Sequence, residues 1–481
     1  MTSITPAQLR ECLIAATEEI PTAAELANTL PVGRLYTPPA HLKALSPDKP
    51  LVIGMRGAGK TYWWLQLQEQ HARTLIFGEK GNDGKSLECR PGYGKKGNPD
   101  DFPTKRILDD LRRDGLAPRS VWRAVMCWHV SEIRTLMSTT RSWSERVRWC
   151  EANVEQVERT LYTADQAYFR DGRTLLVLFD SLDDTADEWV DINAWLKGLF
   201  QVMLEFRNFR AIRAKAFVRP DMLADRETFA FPDGSKLQYE QVTLDWTRAD
   251  LYALLWQSLG NAEAPHGDLF RSWCLSYGLT WHQADGIWPV PEALRRDEDL
   301  QRLVFHALAG EWMGKDARRG FPYTWLPNHL GDASAKVSPR SFIVAVHNAA
   351  IATREKHPGH EFALHYEDIK TGVGKASSVR VADLEQEYPW IKDAMTSLNK
   401  RNVPCAWAEI EGFWQDAQLI KRLEKQPRAP MRLKEGLPGI RDELVELAIF
   451  EYDLKKYRID IPDVFRVGYG LGRKGGIRPV R

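Results

Sequence analysis

Apolar residues follow two different spacings along the chain, and the spacing changes near residue 245. Before that point, four short, mainly apolar runs alternate with segments of helical spacing: LVIG at 51–54, TLIF at 74–77, LLVLF at 175–179 and AKAFV at 214–218. Such runs are typical of parallel strands that are covered on both faces. Strands that alternate with helices predict a parallel α/β sheet. The run VWRAVMCWHV at 121–130 is a further strand candidate.

Segments with helical spacing fill most of the remaining sequence. Before residue 245 they predict four helices, at 5–30, 60 to about 70, 138–170 and about 188–207. Residues 78–104 are rich in Gly, Lys, Asp and Pro, which predicts a long loop. From about 246 to 355, leucines recur at helical spacing without strand-like alternation, and this predicts a helical region.

The composition is that of a folded globular protein, and it excludes several classes. Of 481 residues, 43% are hydrophobic and 27% are charged, and the length suggests about two to four domains. The 66 Lys and Arg residues nearly cancel the 65 Asp and Glu residues, so any basic surface is local. The six cysteines show no CxxC spacing and indicate no cysteine zinc site. No long apolar run and no secretory leader pattern is present, so we expect a cytoplasmic protein without a membrane partner.

Residues 54–61 read GMRGAGKT and match the phosphate-binding pattern G-x-x-x-x-G-K-[ST] in full. The glycines permit left-handed backbone angles and a close approach of N–H groups to phosphates. Lys60 would reach the β- and γ-phosphates, and the Thr61 hydroxyl would ligate Mg²⁺. A predicted strand before the pattern and a helix after it are the expected context. The predicted nucleotide-binding residues are Gly54, Arg56, Gly57, Ala58, Gly59, Lys60, Thr61 and Tyr62.

An acidic segment, LLVLFDSLDD at 175–184, supplies the second part of such a site. The apolar run places Asp180 at the carboxyl end of a buried strand, where ligands bind in open α/β sheets. Asp180 is therefore predicted to hold Mg²⁺ together with Thr61. Asp183 or Asp184 would orient or deprotonate the attacking water. Helix capping by these acids is the structural alternative.

The pairing of GMRGAGKT with LFDSLDD resembles the STAND and KAP-like branch of the AAA-related P-loop ATPases. In that branch, four apolar residues precede an Asp, a small residue, an apolar residue and two acids, and residues 180–184 fit this order place by place. The last acid of the branch is usually glutamate and is Asp184 here, which leaves the water-activating residue open. The resemblance covers about 50–350. It implies an ATP hydrolase that uses ATP and Mg²⁺, and a conformational or assembly switch of the kind found in bacterial antiphage systems.

The resemblance also implies catalytic arginines. In such ATPases a polar residue at the tip of the next strand often touches the γ-phosphate, and Arg219 holds that place after AKAFV. A surface ion pair is the alternative. The segment KVSPRSF at 336–342 would open a helix of the lid, and Arg340 in its first turn would sense the nucleotide. Candidates for an arginine finger toward a neighbouring subunit are Arg207, Arg210 and Arg213, which equally suit a solvated helix face.

The expected fold class is α/β: a parallel-sheet P-loop NTPase core, a helical lid and a C-terminal winged-helix-like domain. The predicted domain order is an N-terminal helical segment and linker at 1–48, the ATPase core at 49–245, the lid at 246–355, a linker at 356–379 and the winged-helix-like domain at 380–481. The last domain is inferred from an amphipathic helix at 440–455 and a short extended, basic end. Candidates for phosphate contacts are Arg466, Arg473, Lys474, Arg478 and Arg481. Protein docking or autoinhibition is the other role, and it is somewhat favoured over nucleic-acid contact.

Three functional hypotheses remain open at the level of sequence. The first is the nucleotide-controlled switch, with a homo-oligomer and an effector or sensor protein as partners. The second is a DNA-binding ATPase of the initiator or loader kind, which would use the winged helix. The third is a small-molecule or nucleoside kinase, against which no acceptor pocket is evident in about 300 further residues. ATP is the expected nucleotide because no NKxD-type guanine motif occurs.

Overall fold

The computed structural model describes residues 4–18, 32–78, 86–95, 97–223, 226–426 and 428–473. They form two compact units. The sheet unit consists of the described part of Thr37–Asp245. The helical unit consists of the described parts of Met1–Ile20, Leu30–Tyr36 and Trp246–Arg481. Each unit is described by itself below.

Five parallel strands form the sheet of the sheet unit. In chain order they are β1 (Leu51–Ile53), β2 (Leu87–Tyr93), β3 (Thr174–Phe179), β4 (Ile212–Val218) and β5 (Val242–Thr243). Their order across the sheet is β2-β3-β4-β1-β5. The register pairs Leu51 with Ala216 and Leu175 with Ile212. The strands that carry the phosphate loop and the acidic segment, β1 and β3, are therefore separated by β4.

Helices occupy most of the remaining described chain up to residue 245. They are α1 (Pro6–Thr17), α2 (Pro39–Leu45), α3 (Lys60–Gln66), α4 (Gln70–Phe77), α5 (Lys105–Arg113), α6 (Pro118–Trp128), α7 (Ser131–Leu136), α8 (Trp143–Ala152), α9 (Val154–Arg170), α10 (Trp189–Phe206) and α11 (Gly234–Tyr239). The helix predicted at about 188–207 is confirmed, and the segment predicted to be helical at 138–170 forms two helices, α8 and α9, that meet at Asn153. Only the first half of the helix predicted at 5–30 is described, since residues 19–31 lie outside the described chain.

Two predicted strands in the sheet unit are wrong, because both runs are helical. TLIF at 74–77 is the last turn of α4, with Ile76 and Phe77 buried and Leu75 partly exposed. A four-residue apolar run is too short to reveal its period. VWRAVMCWHV at 121–130 lies largely in α6, which is buried on almost every side from Val121 to Trp128. A helix without a polar face reads as a continuous apolar run.

The loop predicted at 78–104 contains strand β2, and this part of the prediction is also wrong. The strand sequence LECRPGY includes Pro91 and Gly92, which are rare inside central strands. At the edge of the sheet, where β2 lies, a proline is tolerated. Gly92 is required by close packing, because a Cβ atom there would lie 2.6 Å from the Phe179 ring. The composition of an edge strand therefore resembled that of a loop.

The helical unit contains the remaining helices and a small second sheet. The helices are α12 (Arg248–Gly260), α13 (His266–Cys274), α14 (Glu292–Arg296), α15 (Glu298–Ala309), α16 (Pro322–Asn328), α17 (Pro339–Lys356), α18 (Tyr366–Glu387), α19 (Pro389–Thr396), α20 (Trp407–Asp416), α21 (Leu419–Leu423), α22 (Gly436–Glu446) and α23 (Asp463–Gly468). The helical region predicted up to about 355 is confirmed. Within the described residues, no helix combines the length and apolar character that crossing a bilayer requires.

Helix α18 runs through the segment that was predicted to be a linker at 356–379, so that prediction is wrong over most of its length. The glycines in KTGVGK, at 370–375, suggested flexible chain. Gly372 instead allows α17 to pack closely, because a Cβ atom there would lie 2.1 Å from the Ala345 carbonyl oxygen. A glycine inside a helix destabilises that helix by about 1 kcal/mol relative to alanine, but it allows a second helix to pack at a short distance.

The end of the helical unit has the order of elements of a winged helix. Helix α19 is followed by β6 (Cys405–Ala406), α20, α21 and α22, and then by β7 (Glu451–Asp453) and β8 (Arg458–Asp460). The three strands form an antiparallel sheet in the order β6-β8-β7. The predicted fold class, a parallel α/β core with a helical region and a winged-helix-like end, is confirmed.

Candidate nucleotide-binding site

The phosphate loop, residues 54–61, connects β1 to the first turn of α3. Gly57 and Gly59 have φ angles of 80° and 102°, which only glycine adopts without strain. The chain would also be crowded by a side chain at Gly54, since a Cβ atom there would lie 3.2 Å from Cγ of Lys60. The backbone thus requires Gly57 and Gly59, whereas a side chain at Gly54 would require the Lys60 side chain to shift by a few tenths of an ångström.

Lys60 points back into the loop that precedes it. Its Nζ atom donates hydrogen bonds to the carbonyl oxygens of Gly54 at 2.7 Å and Met55 at 3.2 Å. Burial lowers the pKa of Lys60 to about 8, although Asp180 opposes the shift. The ammonium group is therefore held by weak neutral acceptors, and an anion in the loop would be a stronger partner.

The two residues predicted to hold magnesium contact each other directly. The Thr61 hydroxyl donates a hydrogen bond of 2.7 Å to Oδ2 of Asp180, across 119 positions of sequence. Ser181 donates a second bond to the same oxygen at 3.1 Å. Asp180 is only 1% exposed, and burial raises its pKa while the Thr61 hydrogen bond opposes this shift. A hydroxyl and a carboxylate oxygen are hard donors that fit Mg²⁺.

A strained turn follows Asp180 and presents the two further acids. Ser181 has φ of 55°, a left-handed conformation that is rare for residues with a side chain. Leu182–Asp184 then form one 3₁₀ turn. The Tyr93 hydroxyl donates to the Asp184 carbonyl oxygen at 3.0 Å and ties this turn to the end of β2. Strain of this kind persists where the surroundings hold it, and it is common at functional sites.

Arg219 lies at the end of β4, the strand between β1 and β3. It is 4% exposed and donates to Asp183 at 2.9 Å and to both carboxylate oxygens of Asp221 at 3.1 and 2.9 Å. Burial alone would raise the pKa of Asp183, but the charge and hydrogen bond of Arg219, together with Lys60, lower it. The structure thus brings Arg219 to the predicted edge of the sheet and pairs it with two acids.

The other predicted loop residues differ in exposure. Ala58 is buried, and its N–H donates to the Met55 carbonyl oxygen at 3.1 Å. Arg56 is partly exposed. Tyr62 is also partly exposed and its ring meets that of Trp63 edge-on, at 5.0 Å between centroids. Their roles toward a nucleotide stay predictions.

Two tryptophans behind the loop support the site. Trp64 Nε1 donates to the Leu178 carbonyl oxygen at 3.1 Å, which ties α3 to β3. Trp63 Nε1 donates to Nδ1 of buried His41 at 3.1 Å, and His41 Nε2 lies 3.0 Å from the Asp245 carbonyl oxygen. A tryptophan is a donor only, so Nδ1 of His41 accepts and the ring is neutral. The pair WW directly after the phosphate-loop threonine and tyrosine was the available signal.

Arg340 lies in the helical unit, in the first turn of α17 as predicted. Its guanidinium donates to Oδ2 of Asp383 in α18 at 3.0 Å, and both side chains are largely buried. The sensor role stays a prediction. Of the candidates for an arginine finger, Arg207 pairs with Glu240 at 2.6 Å, within the sheet unit.

The proposed phosphate contacts at the end of the chain are partly wrong. Arg466 is fully buried and donates to Asp463 and to the Leu471 carbonyl oxygen, so it cannot reach a phosphate. Arg473 forms an ion pair with Asp460. Lys474, Arg478 and Arg481 lie outside the described residues.

Comparison with known proteins gave distant structural likenesses. No protein-family model and no curated protein matches this chain. The ORC2 protein of Aeropyrum pernix, solved in ADPNP–ADP complexes, is 13% identical, with 90% of this chain and 93% of that chain covered and a TM-score of 0.40. The Cdc6p protein of Pyrobaculum aerophilum is 11% identical, with 87% and 85% covered and a TM-score of 0.28. At these TM-scores the two structures say nothing about the site, and its chemistry is inferred from its own geometry.

Proposed function

We propose that this protein binds ATP with Mg²⁺ at residues 54–61 and hydrolyses it. The observation that carries the proposal is the 2.7 Å contact between Thr61 and buried Asp180, with Lys60 in the same loop. A phosphate loop without ligand has no need of a buried carboxylate at the loop threonine. Burial of an acid against a hydroxyl costs free energy that an oxygen-bound cation would offset.

Each side chain of the site has a distinct role in this proposal. The loop N–H groups and Lys60 would bind the β- and γ-phosphates and lower the energy of the charge that develops during transfer. Thr61 and Asp180 would hold Mg²⁺, which when bound neutralises charge on the phosphate oxygens. Asp183 and Asp184 would orient the attacking water. Arg219 would position Asp183 and contact the γ-phosphate.

Nucleotide binding by purified variants tests this proposal. Lys60→Ala and Asp180→Asn should each weaken binding of a fluorescent ATP analogue in the presence of Mg²⁺ by about tenfold or more, since each removes one charged partner of the complex. Lys43→Ala changes an exposed lysine of α2 and should bind as the unmodified chain does. Equal affinity in Lys60→Ala and the unmodified chain would falsify the assignment.

The lowered pKa of Lys60 adds a pH dependence to this test. Below a pH of about 8 the lysine is charged before binding, whereas above it the group must take up a proton when phosphate binds. Affinity should therefore be level below pH 8 and fall above it, by at most about tenfold per pH unit because one proton is linked. Lys60→Ala should show no such fall.

A DNA-associated ATPase of the initiator or loader kind is the second candidate, and we place it ahead of the defence switch. It is supported by the winged-helix order of α19 to β8 and by the exposed turn between β7 and β8. Leu454 and Tyr457 are 72% and 67% exposed there, and they flank two exposed lysines, Lys455 and Lys456. Aromatic and basic side chains together suit nucleic acid.

The narrower assignment to the STAND and KAP-like branch stays a prediction. No contact in the described residues distinguishes that branch from other P-loop ATPases. The same holds for a role in antiphage defence and for an effector or sensor protein as partner. Homo-oligomerisation is likewise part of the proposal and is tested below.

A further inference from the structure

The connection between α17 and α18 carries a dense group of histidines and acids. Residues 357–368 read HPGHEFALHYED, with three histidines and three acids in twelve positions. In the described structure, His357, His365 and Glu367 each present one possible ligand atom, and these atoms lie within 4.8 Å of one another. The group belongs to the helical unit, whereas the phosphate loop belongs to the sheet unit.

A buried carboxylate orients one of these histidines. Nδ1 of His357 lies 2.7 Å from Oδ2 of Asp368, which is 1% exposed. A carboxylate accepts, so Nδ1 carries the proton, and Nε2 is the ring nitrogen left to bind an ion. Metal-binding histidines are held in this way, with the second ring nitrogen donating to a carboxylate.

The backbone around the histidines is held by three helices. His357 ends α17, and His365 precedes α18 with its N–H donating to the Thr353 hydroxyl at 3.0 Å. Buried Arg10 of α1 donates three hydrogen bonds to the connection, to the carbonyl oxygens of Ala363 at 2.9 Å, Pro358 at 3.1 Å and Phe362 at 3.3 Å. The ligand atoms are thus positioned by the fold, as an ordered metal site requires.

The composition of the group suits a divalent cation. The ring of His360 lies 4.7 Å from that of His365, so a third imidazole is close to the group. Glu367 and Asp368 supply two negative charges, and the nearby cation Arg10 is already engaged by backbone oxygens.

We propose that His357, His365 and Glu367 bind one borderline divalent transition-metal ion such as Zn²⁺, with Asp368 as a positioning residue. Two imidazoles and one carboxylate form a ligand set that suits zinc and its neighbours, whereas Mg²⁺ prefers oxygen ligands alone. Three protein ligands leave a fourth position for solvent. The ion would join the end of α17 to the start of α18 and so stabilise the helical unit.

Metal titration of the full chain tests the proposal. The tag-free, chelator-treated protein is titrated with Zn²⁺ in excess Mg²⁺ and without nucleotide, in competition with a chromogenic chelator. We expect one tight ion per chain. His357→Gln and Glu367→Gln should weaken it by more than about tenfold, and Asp368→Asn by about 10- to 100-fold. His282→Gln, an exposed histidine of the same unit outside the group, should bind as the unmodified chain does.

Two outcomes would overturn the proposal. One is the absence of tight Zn²⁺ binding in the unmodified chain, and the other is unchanged affinity in both His357→Gln and Glu367→Gln. Co²⁺ spectroscopy of the unmodified chain gives a measurement that does not depend on any variant folding. Tetrahedral absorption without a thiolate charge-transfer band supports the site. A thiolate band would assign the ion to cysteines, and the spectrum of hydrated Co²⁺ would show that no protein site exists.

Discussion

At the scale of single residues, the site is organised by the compensation of buried charges. Asp180 is held by two hydroxyl donors, Thr61 and Ser181, whereas Asp183 is held by the guanidinium of Arg219. A hydroxyl can turn away from a carboxylate at little cost, but a buried ion pair is broken only with a large loss of free energy. Asp180 is therefore the acid that is ready to exchange its partner for a cation.

The same difference predicts which acid handles water. A general base must take up a proton, and Arg219 lowers the pKa of Asp183, which makes it a weak base. We expect Asp184→Asn to lower kcat by about 10²-fold or more with ATP binding unchanged. Asp183→Asn should have a smaller effect on kcat. Steady-state ATPase assays at saturating ATP and Mg²⁺ measure both.

Asp187→Asn, three positions after Asp184 and exposed, is a matched control. If Asp183→Asn lowers kcat more than Asp184→Asn, the assignment is reversed, and Arg219 then orients the base. If neither change slows hydrolysis, the group that activates water belongs to another part of the protein.

At the scale of elements, the winged-helix-like end separates acidic from basic surface. Helix α22 carries Asp442 and Glu446 at its surface and a buried Glu443, and its Arg441 lies over the rings of Trp407 and Tyr452, at 4.9 and 4.6 Å. A helix of this composition is unsuited to a phosphate backbone. The exposed turn between β7 and β8, residues 454–457, is the part that suits one.

Duplex binding at several salt concentrations tests that turn. Each lysine that contacts a phosphate adds about one to the salt slope. Lys455→Ala with Lys456→Ala should therefore reduce the slope by about two and weaken binding to all sequences alike. Lys315→Ala with Lys375→Ala, two exposed lysines elsewhere in the helical unit, should leave the slope unchanged. An equal slope in both double variants, or no duplex binding at all, would rule out this mode of DNA recognition.

At the scale of the whole molecule, a nucleotide acts as a switch only if its ATP and ADP forms bind two states of the protein with different affinity. The resemblance assigns part of that difference to Arg340, which in this structure is paired with Asp383. If Arg340 senses the nucleotide, a phosphate oxygen would compete with the Asp383 carboxylate for its guanidinium. The Arg340–Asp383 ion pair would then have two states, formed and broken.

Assembly should accordingly depend on the nucleotide. Mass photometry should show a larger species with a non-hydrolysable ATP analogue than with ADP, for a coupling of about 1–3 kcal/mol. Arg340→Ala should reduce this difference, whereas Asp383→Ala, which removes the competing carboxylate, should preserve or enlarge it. If the assembly has the same size with the analogue, with ADP and without nucleotide, the switch hypothesis is wrong and the protein is a constitutive ATPase. If Arg340→Ala and Asp383→Ala lose this size difference equally, the Arg340–Asp383 ion pair contributes to stability alone.

The sequence by itself determined the features that depend on near neighbours. GMRGAGKT between a strand and a helix, the buried strand before Asp180 and the helical spacing after residue 246 are local patterns, and the structure confirms the secondary structure that each predicts. The backbone freedom of glycine and the spacing of apolar residues each depend on a few neighbouring positions. Both can therefore be recognised in the sequence before the fold is known.

The tertiary structure alone decided which residues that are distant in sequence contact each other. It placed β4 between β1 and β3, brought Thr61 to Asp180 and paired Arg219 with Asp183. It also made a strand from LECRPGY at the sheet edge, a helix through the glycines of 370–375, and a histidine group from a supposed linker. These outcomes depend on the free energy of packing between segments that are distant in sequence, which a local pattern does not reveal. The same short run of residues can be stable as a helix, a strand or a loop, according to the segments that pack against it.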